Sequence, residues 1–372
     1  MRVTEINTHV LKDKLSEKFG MSQWYWDVRA ICLVEIKTDD GITGWGECFG
    51  PAETNAALIK ELYAPQLIGR DPLPRRHVWE TLYNRTREFG RKGIAISALS
   101  GIDIALWDIY GQYVNQPIGQ LLGGDVAQPV AAYASTFYYS AENARVIEEN
   151  AAQAISEGFS AFKMKVGALS IEDDALRVHK VRQCIGDSAL LAVDANRAYT
   201  ANEAIALGKR IAPHNIAWFE EPVLPDDFAG YREVRDKLDM RIAGGESEFT
   251  RFGFRSYLEQ QCIDIAQPDV AACGGISEAL TIAQLATAYG IECYPHQWGS
   301  AISLAATLHL TSAIPLAVPA MAKPRPVLEL DRAPNIFREQ LSDLAIGPVM
   351  QVPQRPGLGI EIDFDMIKHY ST

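Results

Sequence analysis

Asp194, Glu220 and Glu246 fall at equal intervals of 26 residues, since 220 − 194 and 246 − 220 give the same number. Each closes a short apolar run: Leu190-Leu-Ala-Val-Asp194, Ile216-Ala-Trp-Phe-Glu220 and Arg241-Ile-Ala-Gly-Gly-Glu246. About 25 residues is one strand, a turn, a helix and a turn, so the spacing places the acids at the ends of three consecutive strands of a parallel α/β barrel. There the C-terminal strand ends converge on one mouth, where such folds build their active sites. Three carboxylates brought together repel one another and call for a cation. An all-oxygen donor set suits a hard ion, Mg2+, better than zinc.

The rest of the chain has the matching rhythm. From about residue 129, β-prone runs at 130–136, 161–166, 189–194, 217–220, 241–244, 263–268, 292–295 and 327–330 alternate with helix-like segments such as 141–157, 173–184, 201–211, 276–289 and 303–314. Near-continuous apolar strands separated by helices describe a barrel of seven or eight β/α units over 129–330. The stretch 315–326, with its four prolines, reads as a loop. Residues 1–128 lack the alternation: strands at 2–11, 31–37 and 45–48 precede helical stretches at 55–62, 78–84 and 94–114, predicting an α+β capping domain. The segment 331–372 turns strand-like and polar again and is expected to return to that cap. Within 14–28, the aromatics Phe19, Trp24, Tyr25 and Trp26 crowd an apparent loop, where they pack locally or form a lid over the mouth.

Bulk properties narrow the partners. A formal charge of −12 over 372 residues argues against nucleic acid and anionic membrane surfaces. No apolar run is expected to reach the ~20 residues of a membrane span, and the N-terminus lacks a signal-peptide core, so a cytoplasmic setting is expected. Six scattered cysteines without a CxxC pair read as buried thiols.

Further chemistry-bearing residues converge on the same mouth. Lys163 and Lys165 lie two apart near the end of the second barrel strand and therefore share a face, with Met164 turned to the helices. Two close ammonium groups depress one another, which would bring one toward use as a base. Asp269 closes the sixth strand and His296 the seventh, 27 residues later, as expected of an acid–imidazole pair on neighbouring strands. Glu329 in the last strand is a candidate general acid or hydrogen-bond donor, with Asp331 its competitor. Asn196 faces the mouth two residues past Asp194, and Asn196 and Trp298 are candidate substrate contacts. The remaining histidines, His309 among them, have no comparable partners and read as structural. Such a constellation suits removal of a proton beside a carboxylate, with a divalent cation and lysine stabilising the enolate-like charge.

The ordered set of Lys163-x-Lys165, Asp194-Ala-Asn196, Glu220-Glu-Pro222, Gly245-Glu246, Gln267-Pro-Asp269, Gly274-Gly275, His296 and Glu329 resembles the enolase superfamily, in its mandelate racemase subgroup. That resemblance implies Mg2+ on Asp194, Glu220 and Glu246, Lys165 as base, and Lys163 as neutraliser of the bound carboxylate. It also implies Asp269–His296 as a second acid–base dyad and Glu329 as an enolate stabiliser. Asp269 stands where the dipeptide epimerase and muconate cycloisomerase types carry lysine. Segments including Gly44-Trp-Gly-Glu-Cys48, Trp218-Phe-Glu-Glu-Pro-Val223 and Pro356-Gly-Leu-Gly-Ile-Glu361 are similar to galactarolactone and anhydrogalactonate cycloisomerase families. The expectation is elimination on a sugar acid or its lactone, with dehydration and then epimerisation as alternatives, in a homo-oligomer.

Overall fold

Residues 1–140, 143–315 and 327–372 are described in the computed structural model. The proline-rich stretch read as a loop lies, from residue 316 to 326, outside them. Three antiparallel strands open the chain: β1 (Val3–Gly20), β2 (Tyr25–Thr38) and β3 (Thr43–Cys48), ordered β1-β2-β3. Side chains alternate across β2. Ile31 and Leu33 join the core that continues into the barrel, whereas Cys32, Val34 and Ile36 pack on the helices of the N-terminal region. Covered on both faces, the stretch Ile31–Val34 is apolar without a break. The 20-residue helix Ile94–Tyr113 lies against β3 at van der Waals limit. A Cβ on Gly46 would sit 1.9 Å from the Gly101 carbonyl oxygen. This helix has the length and hydropathy of a membrane span, contrary to the sequence reading, but 83% of its most apolar window is buried inside the molecule.

The aromatic segment 14–28 is not a loop. β1 and β2 run on as a hairpin through Phe19↔Trp26 and Gly20↔Tyr25, with a bulge between Lys14 and Phe19. β-prone aromatics pairing across the strands explain the extension, and the bulge hid its period from the sequence.

Eight parallel strands follow: β4 (Val130–Thr136), β5 (Ala161–Lys165), β6 (Leu190–Asp194), β7 (Ile216–Glu220), β8 (Arg241–Gly244), β9 (Ile265–Ala266), β10 (Glu292–Cys293) and β11 (Leu328–Asp331). Their order is β10-β9-β8-β7-β6-β5-β4-β11, a curled sheet of the (β/α) barrel type. A short β12 (Val349–Met350) adds antiparallel to β4. β9 and β10 are shorter than their apolar runs suggested, although a further bridge joins Asp269 to His296. Helices between strands begin where the sequence signals them: Thr200 and Glu203 form a reciprocal capping box at the start of Ala201–Ile211.

Period-two alternation then decides what the barrel interior contains. Tyr133, Ala161, Ala192, Trp218, Ala243, Ile265 and Tyr294 form an apolar plug inside the sheet. Two residues further along the same faces come Lys163, Asp194, Glu220 and His296. Met164, Val193 and Phe219, on the opposite face, are buried in the outer core. The plug is therefore a floor, and the polar residues stand on it. The chain's end returns to the N-terminal sheet: Leu11 bridges Ser371, and the Leu358 N–H donates to Asp108 Oδ1 at 2.8 Å.

Candidate active site

Asp194 and Glu220 end β6 and β7 and pair in register. Glu246 lies two residues past β8, reached through Gly245 at φ 124°, a conformation that disfavours any side chain. One carboxylate oxygen from each of the three lies within 4.8 Å of the other two. The three converging ligand atoms are all carboxylate oxygens. Among the described residues, Asn196 Oδ1 and Glu246 Oε2 are buried without a hydrogen-bond partner, the latter 3.3 Å from His296 Nε2 but out of hydrogen-bond geometry. Buried orphan acceptors around three converging carboxylates fit a hard divalent cation.

The lysines are brought to the same place. Lys163 Nζ is fully buried, 2.5 Å from Glu220 Oε1, 2.7 Å from Glu329 Oε1 and 3.6 Å from Asp194 Oδ2. Lys165 Nζ donates to Asp194 Oδ2 at 2.5 Å. The expected depression by a neighbouring ammonium is present at Lys165 but is outweighed. Burial is the largest influence on Lys165 and disfavours its charge, as Lys163 also does, but Asp194, Glu246 and Glu220 together outweigh them, and the ammonium is held above its ordinary value. Lys163 is raised likewise, by Glu220 and Glu329 against its burial. The carboxylates are closer to each ammonium than the other lysine's charge can offset. Their own values diverge: burial pushes Glu220 up to about 7, while the two lysines overcome burial to hold Asp194 well below the usual carboxylate range.

Opposite, His296 Nδ1 and Asp269 Oδ2 are 2.6 Å apart, and Asp269 Oδ1 accepts the Ala271 N–H at 2.7 Å. Burial disfavours the imidazolium, but Glu246, Glu329 and Asp269 together push His296 up to about 10. Glu329 contacts Lys163 and accepts from the Tyr133 hydroxyl at 3.4 Å. Asp331 does not compete for its place, being engaged by Arg29 at 2.7 Å, Arg338 at 3.1 Å and the Tyr138 hydroxyl at 2.8 Å. The Trp298 ring meets that of Trp26 at a tilt and that of Phe49 edge-on, at centroid distances of 4.9 and 6.4 Å.

Comparison with known proteins bears on this geometry. Residues 6–123 match the family described as the mandelate racemase / muconate lactonizing enzyme N-terminal domain, and residues 146–366 match "Enolase C-terminal domain-like". The chain belongs to the enolase superfamily. It is 41% identical, over 100% of its length and 99% of the relative's, to a D-galactarolactone cycloisomerase of Agrobacterium fabrum. An arabinonate dehydratase of Saccharolobus solfataricus is 34% identical, covering 91% of this chain and 90% of the relative. The crystal structure of a 3,6-anhydro-D-galactonate cycloisomerase from Zobellia galactanivorans superposes with a TM-score of 0.91 at 36% identity, with 100% of both chains covered. A racemase from Streptomyces coelicolor with bound magnesium gives 0.88 at 26% identity, covering 100% of both chains.

This enolase-superfamily member carries site residues that the sequence reading missed. Gln267 Nε2 donates to Glu220 Oε2 at 2.7 Å and Trp218 Nε1 to the same oxygen at 3.1 Å, orienting that carboxylate. Arg197, at φ 68°, reaches Glu221 at 3.0 Å and Glu246 at 3.2 Å. Gln267 and Trp218 could have been found, since each lies an even number of residues from a marked acid on its own strand run. The β1–β2 hairpin also closes on the mouth: Ser22 Oγ donates to the Ala195 carbonyl at 2.8 Å, and Gln23 Nε2 to that of Asn196 at 2.8 Å.

Proposed function

We propose that the protein is a Mg2+-dependent enzyme that removes the proton alpha to the carboxylate of a sugar acid or its lactone and then breaks the β carbon–oxygen bond. The best-supported form of that reaction is a cycloisomerisation, in which the oxygen belongs to a ring and the product is an isomer. The observation that carries it is the convergence of two acid–base groups, Lys165 and the His296–Asp269 pair, on either side of three clustered carboxylates. The cycloisomerase relatives support the ring-opening form, and the dehydratase relative favours loss of water as the second reading.

Asp194, Glu220 and Glu246 would hold the cation, which supplies a positive charge against the developing enolate. Lys163, fixed between Glu220 and Glu329, neutralises the substrate carboxylate. Lys165 or His296 abstracts the α-proton, and the other returns a proton or assists departure. Glu329, hydrogen-bonded to Tyr133, stands where a donor to the enolate oxygen is needed. Asn196 and Trp298 contact the substrate's remaining groups. A homo-oligomeric, cytoplasmic enzyme with small-molecule substrates alone completes the reading.

Proton NMR in D2O with Mg2+, over a panel of aldarates, aldonates, lactones and anhydro-sugar acids, tests it. A deuterated methylene beside a keto group, in a product of unchanged composition apart from the deuterium, is the expected result. Water loss moves the reading to a dehydratase. Loss of the α-proton signal with no new product would replace elimination by epimerisation.

A further inference from the structure

One charged side chain beside the mouth lacks an assigned task. Arg29, on β2, is 2% exposed, and its Nη1 is buried with no hydrogen-bond partner among the described residues. The rest of its guanidinium is fixed. Nη2 donates to Asp331 Oδ2 at 2.7 Å and Nε to the Pro334 carbonyl at 2.9 Å, and Cζ lies 4.1 Å from the Trp298 ring centroid and 4.9 Å from that of Phe19. A buried N–H left without an acceptor costs free energy unless something else supplies one.

The contacts of Arg29 lead to both flanks of the site. Through Asp331 it meets Tyr138, whose ring centroid is 5.5 Å from Lys165 Nζ. Through Trp298 it meets Phe49, whose ring centroid is 6.1 Å from that of His296. Asp331 is shared between Arg29 and Arg338, so one carboxylate faces two guanidinium groups, and Arg338 has Glu339 as a second partner at 2.8 Å. Among the described residues Arg29 has no second carboxylate. It is a permanent cation, pre-oriented between rings, with its Nη1 amino group free of partners there.

We propose that Arg29 receives the end of the substrate remote from Asp194, Glu220 and Glu246, and that the group it takes there is a carboxylate. This rests on the sugar-acid reading above and narrows it to lactones of dicarboxylic sugar acids. In such a lactone the ring oxygen on the β-carbon is an ester oxygen. The base takes the α-proton and the C–H electron pair becomes the Cα–Cβ double bond. The Cβ–O bond breaks with its electrons going to the ester oxygen. The group released is a carboxylate, which needs a cation rather than a proton. The enol then gains a proton at Cβ and loses its O–H proton, giving an oxo-dicarboxylate isomeric with the lactone. An anhydro ring or a hydroxyl would leave as an alkoxide or hydroxide and would require a proton, which a guanidinium does not give.

Binding separates this role from folding. D-Galactarate and D-galactonate differ only in a terminal carboxylate against a hydroxymethyl group. They are titrated calorimetrically with Mg2+ present, in a Lys165→Ala/His296→Asn background that removes both candidate bases. Protein with Arg29 is expected to prefer galactarate by about ten-fold or more, the size of a charge-assisted bond. Arg29→Gln brings the ratio close to one and leaves galactonate affinity within about two-fold. Arg29→Lys, which keeps the charge but neither fork nor stacking, retains only part of the preference and stands in should the glutamine variant not fold. Equal affinities with Arg29 present, an unchanged ratio in both variants, or a parallel loss for both acids overturns the assignment. Erased preference without lactone turnover would sink the reaction reading alone; lactone turnover with an unchanged ratio would sink the role of Arg29 alone.

Discussion

His309 makes the joint between barrel and tail acid-sensitive. Its ring is fully buried in the helix Ala301–Ala313. Nδ1 accepts the Gly119 N–H at 3.0 Å, which leaves Nε2 to carry the proton and donate it to the Leu358 carbonyl at 3.0 Å. A second proton would have to sit on Nδ1, facing a donor. Burial accordingly drives the imidazole down from 6.5 to about 4, against a smaller upward effect of the Leu358 bond. The folded value lies below the unfolded one, so the contribution to stability is present above pH 6.5 and is lost as pH falls toward 4. The full difference of 2.5 in pKa is worth about 3 kcal/mol, and about 2 kcal/mol is already gone at pH 5. His309→Gln keeps an acceptor and a donor but cannot titrate. Urea unfolding of both proteins between pH 7.5 and 5 is the assay, because groups common to both cancel in the difference. The wild type is expected to start ahead and to lose about 2 kcal/mol relative to the variant by pH 5. A difference that stays constant over that range would refute the argument.

Four other perturbations probe separate parts of the molecule. Lys165→Ala should lower the rate of α-proton exchange in D2O by about a thousand-fold, within the range of lost general-base catalysis; a loss under ten-fold would point to His296 as the only base. Glu246→Gln should weaken Mg2+ binding by about ten-fold or more in calorimetry, with the fold intact by circular dichroism, because one of three converging carboxylates loses its charge. Gly46→Ala should cost at least about 2 kcal/mol in chemical denaturation, since its Cβ would fall 1.9 Å from the Gly101 carbonyl and force the helix Ile94–Tyr113 off β3. Asp331→Asn strips the shared partner from Arg29 and Arg338, both buried, and should destabilise by about 3–5 kcal/mol in the same assay.

What could be read in the sequence was what repeats along it. Asp194, Glu220 and Glu246 stand out because barrel units have nearly constant length, and Lys163 with Lys165 because strand alternation is strictly two. Both regularities survive without knowledge of the tertiary contacts. The hairpin to Gly20 was hidden because the bulge between Lys14 and Phe19 breaks that alternation where the aromatics begin. The balance of charges around the lysines was not legible for a related reason. Chain spacing put Lys163 beside Lys165, but the stronger influences, Glu220 at 57 residues' separation and Asp194 at 29, come from neighbouring strands. Arg29 was least accessible of all: it meets Asp331 across 302 residues of chain, from a different sheet, and no local pattern marks it. The three clustered carboxylates are periodic because the barrel imposes their positions, whereas Arg29 and Trp26, which would face the far end of the proposed substrate, come from the capping strands, where nothing repeats. Chemistry is therefore legible in such a chain before specificity is, and Arg29, Trp26 and Trp298 are where specificity has to be sought by experiment.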